Sequence, residues 1–207
     1  MNGSINDAKM NLGRRKQMRI DPTEIRGNWD KGFVLDKHIL SSTPKGENVY
    51  GHMEYSTTRT ELGELVFQLK YRNKYENVDR ILDVISPFLD GFVELRDTDI
   101  VIPAPPSRER DFQPVEELAR AIANYLGIGF ASDVLEKTTK TESKNISGRD
   151  ENLEGSIVAR ITATRPHTVL LVDDLFGTGR TLTECVSVLR VDPLLKKIYV
   201  LVMTKTR

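Results

Sequence analysis

Val169-Leu-Leu-Val-Asp-Asp-Leu-Phe-Gly-Thr-Gly-Arg-Thr-Leu182 decides the fold. The uninterrupted run Val169 to Val172 has the character of a strand buried on both faces, as in parallel sheets covered by helices. Two carboxylates follow, then a turn holding Gly177 and Gly179. The run from Thr181 to Arg190 then sets Leu182, Cys185, Val186 and Leu189 on one helical face. Strand, acids, glycine turn and helix in that order put polar groups at the carboxyl end of a strand, where open α/β sheets bind their ligands.

The segments around this stretch repeat the alternation. Ile100 to Ile102 is a short apolar strand stopped by Pro103, and Ile198 to Met203 is a final one. Val115 to Leu126 is helical, with Leu118, Ala119, Ile122 and Leu126 on one face and Gly127 as its C-cap. Phe130 to Leu135 reads as another strand. Strands alternating with helices from Asp99 onward imply a mainly parallel sheet flanked by helices. Upstream, Thr58-Arg59-Thr60-Glu61 has capping-box spacing ahead of Leu62, Leu65, Val66 and Leu69. A second helix carries Val78, Ile81, Leu82 and Ile85, ended by Pro87 and Gly91. Residues 21–57 lack periodicity and suggest short strands and loops. Residues 1–20 are polar and basic, a flexible tail, with a nucleic-acid arm as the alternative. The expected organisation is therefore a tail (1–20), an N-terminal hood and helical region (21–98), and a core (99–207) containing a long charged loop at 136–155.

Composition narrows the partners. The chain has 207 residues with 30 Lys plus Arg against 30 Asp plus Glu, so the net charge is zero. That balance gives no general attraction to nucleic acid or to an anionic membrane, and any anion must be held by a local site. Cys185 is the single cysteine, which excludes an intramolecular disulfide and a cysteine-built zinc site and fits a reducing, cytoplasmic location. Met1 to Asp7 is polar, unlike a signal peptide, and the apolar runs are far shorter than a membrane span. His38, His52 and His167 show no metal-ligand spacing and are expected to be structural or exposed.

The chemistry of the central stretch comes in two halves. A glycine turn at a helix N-terminus exposes backbone N–H groups to an oxyanion, and the helix dipole adds positive charge there. Gly177 and Gly179 carry no Cβ to obstruct it, and Thr178 and Thr181 add hydroxyl donors. Asp173 and Asp174, acceptor-only when ionised, would repel phosphate but suit vicinal ribose hydroxyls, directly or through a cation. A ribose 5-phosphate satisfies both halves. An ordinary strand-turn-helix with acids near the helix start is the alternative.

An apolar strand, two acids, then Thr-Gly and Thr resembles the 5-phosphoribosyl-1-pyrophosphate (PRPP) binding motif of the type I phosphoribosyltransferases. Further segments resemble the ComF-like, competence-associated branch: Leu69-Lys-Tyr-Arg72, Arg108-Glu-Arg-Asp-Phe112 with Leu118-Ala-Arg-Ala-Ile122, the set Thr141, Arg149, Asn152 and Gly155, and Glu184-Cys185 with Leu189-Arg190. The resemblance spans roughly residues 61–207. It departs in lacking a cysteine zinc ribbon, in a shorter and less basic loop after Ile102, and in Pro114 where Gln is frequent.

The resemblance implies a Rossmann-like type I phosphoribosyltransferase fold with an N-terminal hood. It implies PRPP binding by Asp173, Asp174, Phe176, Gly177, Thr178, Gly179, Arg180 and Thr181. It also implies a pyrophosphate loop with Ala104, Ser107, Arg108 and Arg110, and a mobile cationic loop with Lys137, Lys140, Lys144 and Arg149. Lys70, Tyr71 and Arg72 could belong to the hood that shapes the acceptor pocket, or serve as helix-end cations. The reaction implied is transfer of phosphoribosyl to a nitrogen acceptor, with Mg²⁺ on PRPP and Asp173 and Asp174 as catalytic residues and candidate metal ligands. A non-catalytic PRPP- or nucleotide-binding protein acting in regulation or DNA uptake is the alternative. A homodimer is compatible with either.

Overall fold

The computed structural model describes residues 19–106, 108, 110–138 and 156–206. In chain order the elements are β1 (Thr23–Glu24), β2 (Lys31–Lys37), β3 (Ile39–Glu47), β4 (Met53–Arg59), α1 (Glu61–Tyr71), α2 (Asn77–Gly91), β5 (Ile100–Pro103), α3 (Pro114–Leu126), β6 (Gly129–Phe130), β7 (Leu135–Lys137), β8 (Ile157–Ala159), β9 (His167–Phe176), α4 (Arg180–Leu189) and β10 (Leu195–Lys205). Six strands form one sheet in the order β1-β2-β10-β9-β5-β6. All its pairings are parallel except that of β1 with β2. The architecture is the mixed α/β one expected, a mainly parallel sheet flanked by helices.

Side-chain alternation along the central strands explains why both faces are covered. Leu170 and Val172 pack with Leu62, Leu69, Ile81 and Leu118 from α1, α2 and α3. Val169 and Leu171 pack on the other face with Leu182, Cys185, Val186 and Leu189 of α4. Every residue from Val169 to Val172 is fully buried, at about 1.5–3 kcal/mol of transfer free energy for each such side chain. The strand outlasts its apolar run: the ladder with β10 continues through Asp173 and Leu175 to Phe176, because backbone pairing does not require apolar side chains.

Several boundaries differ from expectation. Thr58 is paired with Ser41 in the β3–β4 hairpin, so α1 cannot start there. Thr60 is its N-cap instead, accepting from the Gly63 N–H at 2.9 Å. Pro87 lies inside α2 rather than ending it. The Asp83 carbonyl, which a proline at 87 cannot serve, accepts from the Ser86 hydroxyl at 3.2 Å. Residues 130–135 divide between β6, at the edge of the central sheet, and β7, which pairs with β8. Residues 31–37, in the part expected to form an accessory hood, pair in parallel with β10 inside the central sheet. The exposed β3–β4 hairpin stands apart from it as a two-stranded ribbon. Gly127 closes α3 at φ 68° as expected.

Candidate functional site

Strand parity separates the two acids. Asp173 continues the Val169–Leu171 series toward α4, and Asp174 continues the Leu170–Val172 series toward α1. Asp174 is buried. It meets Lys70 of α1, whose ammonium lies 2.7 Å from Oδ2 and 3.0 Å from Oδ1. Oδ1 of Asp173 accepts the Asp174 backbone N–H at 2.8 Å. Burial and the neighbouring Asp174 charge push the Asp173 carboxyl up to about 7, outweighing the Asp174 N–H and Lys70, which act to lower it. Burial also raises the Cys185 thiol, helped by Asp173 and Glu184, which makes this cysteine an inert core residue.

The turn after β9 runs into α4 through Gly179. Gly179 adopts φ 78°, ψ −2° and is the N-cap of α4, and among the described residues no side chain caps it, which leaves its first-turn amides suited to an outside acceptor. A Cβ at Gly177 would meet no atom within 4 Å, so the backbone there is open to a ligand. Phe176 serves the fold: its carbonyl accepts the Thr206 N–H at 3.0 Å and its side chain packs on the α4 core. Thr178, Arg180 and Thr181 are exposed.

Cations close the other side. Lys70, Arg108, Arg110 and Lys137 line, with Asp173 and Asp174, a cavity of about 200 Å³ that Thr181 also borders. Thr178 and Arg180 face a second cleft of about 580 Å³ beside α4, which shares Lys137 and Thr181 with the first. Arg110 donates from Nη1 to the Lys70 carbonyl at 2.7 Å. Ala104 does not fit its expected role: its N–H donates to the Val172 carbonyl at 2.8 Å, extending the β5–β9 ladder, and so is not offered to a phosphate. Ser107, Lys140, Lys144 and Arg149 lie outside the described residues.

The two ends of the charged loop are held beside α4. β7 pairs with β8, and the Thr138 N–H donates to the Ser156 carbonyl at 2.7 Å. The Glu184 carboxylate accepts from the backbone N–H groups of Ser156 and Ile157 at 2.7 and 2.9 Å. Lys137 is thereby placed at the site mouth by the fold rather than by a free loop.

No family model matches the chain, and neither does any curated protein. Solved structures do. Adenine phosphoribosyltransferase from Thermoanaerobacter pseudethanolicus is 15% identical, with 80% of this chain and 95% of that one covered at a TM-score of 0.43. Orotate phosphoribosyltransferase from Aeropyrum pernix is 17% identical, covering 81% and 76% at 0.40. Phosphoribosylpyrophosphate synthetase from Mycobacterium smegmatis is 19% identical over 59% of this chain at 0.39, and the chain spans 33% of that synthetase. Similarity at this level concerns chain path, so function has to come from the side chains of the site itself.

Lys70 is the residue that sequence reasoning missed as a member of the acid site. Leu69-Lys-Tyr-Arg72 is conspicuous, but nothing in its spacing tells that the ammonium reaches a carboxylate 104 positions further on. Among the described residues no group of three or more His, Cys, Asp or Glu side chains is placed to hold a metal ion, and no helix is long and apolar enough to cross a membrane.

Proposed function

We propose that the chain binds PRPP between Asp173–Thr181 and the cationic cavity, and transfers its phosphoribosyl group to a nitrogen acceptor with release of pyrophosphate. The observation that carries this reading is the pairing, at the carboxyl end of β9, of two adjacent carboxylates with an uncapped glycine-led helix start. The first half suits ribose hydroxyls, and the second suits the 5-phosphate. Arg108, Arg110 and Lys137 supply positive charge for the pyrophosphate, where a cation stabilises the charge developing on the leaving group. The hood of the reading is α1 with the β3–β4 hairpin, and the segments Leu69–Arg72 and Arg108–Phe112 support a ComF-like member within it.

The donor set fits a magnesium ion that arrives with the ligand. Asp174 already carries a cation, with Lys70 hydrogen-bonded to Oδ1 and at ion-pair distance from Oδ2, so Asp173 is the carboxylate placed to take part. Mg²⁺ characteristically uses one or two carboxylates and completes its shell with water and phosphate oxygens. When bound it would neutralise pyrophosphate charge. Asp173 and Asp174 orient the ribose, and Asp173, with its raised affinity for a proton, is the better placed of the two to accept one from the acceptor.

The same acid pair and helix start serve equally a non-catalytic PRPP- or nucleotide-binding protein with a regulatory or DNA-uptake role, because a ligand motif does not by itself settle catalysis. PRPP-dependent release of pyrophosphate, assayed across a panel of nucleobases and amines beside calorimetry of PRPP with Mg²⁺, separates the two. Release with any acceptor supports the transferase, and binding without release supports the second reading. No binding overturns both.

A further inference from the structure

Lys70 sits in the last turn of α1, where a cation could simply serve the helix dipole. Its ammonium instead reaches across to β9, within ion-pair distance of both Asp174 oxygens. The Asp174 side chain is 5% exposed and that of Lys70 23%. A carboxylate so buried is strongly unfavourable without a partner cation. Three further features fix the lysine and the helix that carries it. Its carbonyl holds Arg110, and α1 is brought down onto the end of β2 at Gly63, where a Cβ would stand 2.3 Å from the His38 carbonyl oxygen. The Thr60 hydroxyl adds a hydrogen bond to the Lys37 carbonyl at 2.6 Å. A divalent ion seeking the same carboxylate oxygens would have to displace an ammonium that the fold has built in.

We propose that Lys70 is the resident cation of this site: it occupies Asp174 in place of a divalent metal ion, so the ligand-free chain holds no metal at the acid pair. That this pair serves a ligand site rests on the reading above. The test below uses no PRPP, so its failure is distinguishable from failure of that reading.

The probe is Mn²⁺, a paramagnetic substitute for Mg²⁺, titrated into the full chain without PRPP. Binding is followed by the resonance signal of the free ion and by the unfolding temperature. The native chain and Lys70→Arg are expected to show no stoichiometric site at the acid pair and no metal-dependent shift. Lys70→Met, which leaves Asp174 without its cation, is expected to bind one Mn²⁺ about tenfold or more tighter than the native chain and to gain several degrees in unfolding temperature when metal is added. Both gains should vanish in Lys70→Met combined with Asp174→Asn. A purely structural ion pair would lower stability on Lys70→Met without creating a metal site. A stoichiometric Mn²⁺ site in the native chain that Asp174→Asn removes overturns the proposal, and so does a folded Lys70→Met that binds no better than native. Should Lys70→Met fail to fold, Lys70→Gln, which keeps a neutral donor toward Asp174, is judged by the same outcomes.

Discussion

Replacing the two glycines of the phosphate turn separates backbone strain from ligand contact. Gly179 holds φ 78°, and a Cβ there would stand 3.1 and 3.2 Å from Cζ and Cε2 of the Phe176 ring. A left-handed backbone costs a non-glycine residue about 1–2 kcal/mol, and the ring edge can yield by a few tenths of an ångström. Gly179→Ala should therefore lose about 1–2 kcal/mol of stability, and β-branched Gly179→Val about 2–3 kcal/mol. Gly177 has no positive φ and open space beyond its Cα. Gly177→Ala should leave stability unchanged or raise it by about 0.4–1 kcal/mol through the unfolded chain. Binding should order the variants differently. Obstructing a charge-assisted contact to phosphate forfeits about 1.5–3 kcal/mol, or ten- to a hundredfold in Kd. Gly177→Ala should thus weaken PRPP while its urea midpoint stays at or above native, and Gly179→Val should abolish detectable PRPP binding. Urea denaturation and calorimetry with PRPP and Mg²⁺ measure the two effects separately. A folded Gly179→Val chain with native PRPP affinity would refute the placement of the phosphate.

Two more outcomes follow from the acids and the arginines. The Asp173 carboxyl is raised to about 7 in the folded chain from an unfolded value of about 4, so its share of stability is fully present below pH ~4 and is lost as pH rises through about 7; urea midpoints of the ligand-free chain should fall across that window, and an identical slope in Asp173→Asn would assign the effect elsewhere. Arg110→Ala or Arg108→Ala should lower turnover about ten- to a hundredfold with a smaller change in the Michaelis constant, because a cation on departing pyrophosphate acts chiefly in the transition state; robust turnover indifferent to both changes would move the pyrophosphate elsewhere.

The elements that sequence exposes most clearly are those with one dominant physical signal. Val169–Val172 announces a strand buried on both faces, and Leu118, Ala119, Ile122 with Gly127 announce a capped amphipathic helix. The acid pair and glycine turn are legible because their chemistry is local, confined to nine residues from Asp173 to Thr181. Less legible features involve competition between distant partners. Thr58 carries a capping pattern, but its pairing with Ser41 takes precedence over the helix. Pro87 looks like a helix end until Ser86 satisfies the carbonyl it strands. Lys31–Lys37 has too mixed a composition to read as a core strand, and only its partner β10 brings it into the sheet. Ala104 appears available to an anion until the β9 carbonyl claims its N–H.

A chain of zero net charge can still attract a polyanion if its charges are sorted locally. The cavity at the end of β9 brings together Lys70, Arg108, Arg110 and Lys137 with Asp173 and Asp174, formally 4 − 2 = +2. Lys70 and Asp174 cancel each other at ion-pair distance. Three cations then remain against one carboxyl that burial and its neighbour hold toward the protonated form. Ionic screening acts over about 8 Å at physiological salt, so a balancing excess of acids elsewhere on the surface does little to weaken this cluster. The same sorting explains why two adjacent acids can stand beside the glycine turn proposed to bind phosphate. One is neutralised by a lysine from α1, and the other keeps its proton readily until a ribose hydroxyl or a ligand-borne cation arrives to stabilise its charge.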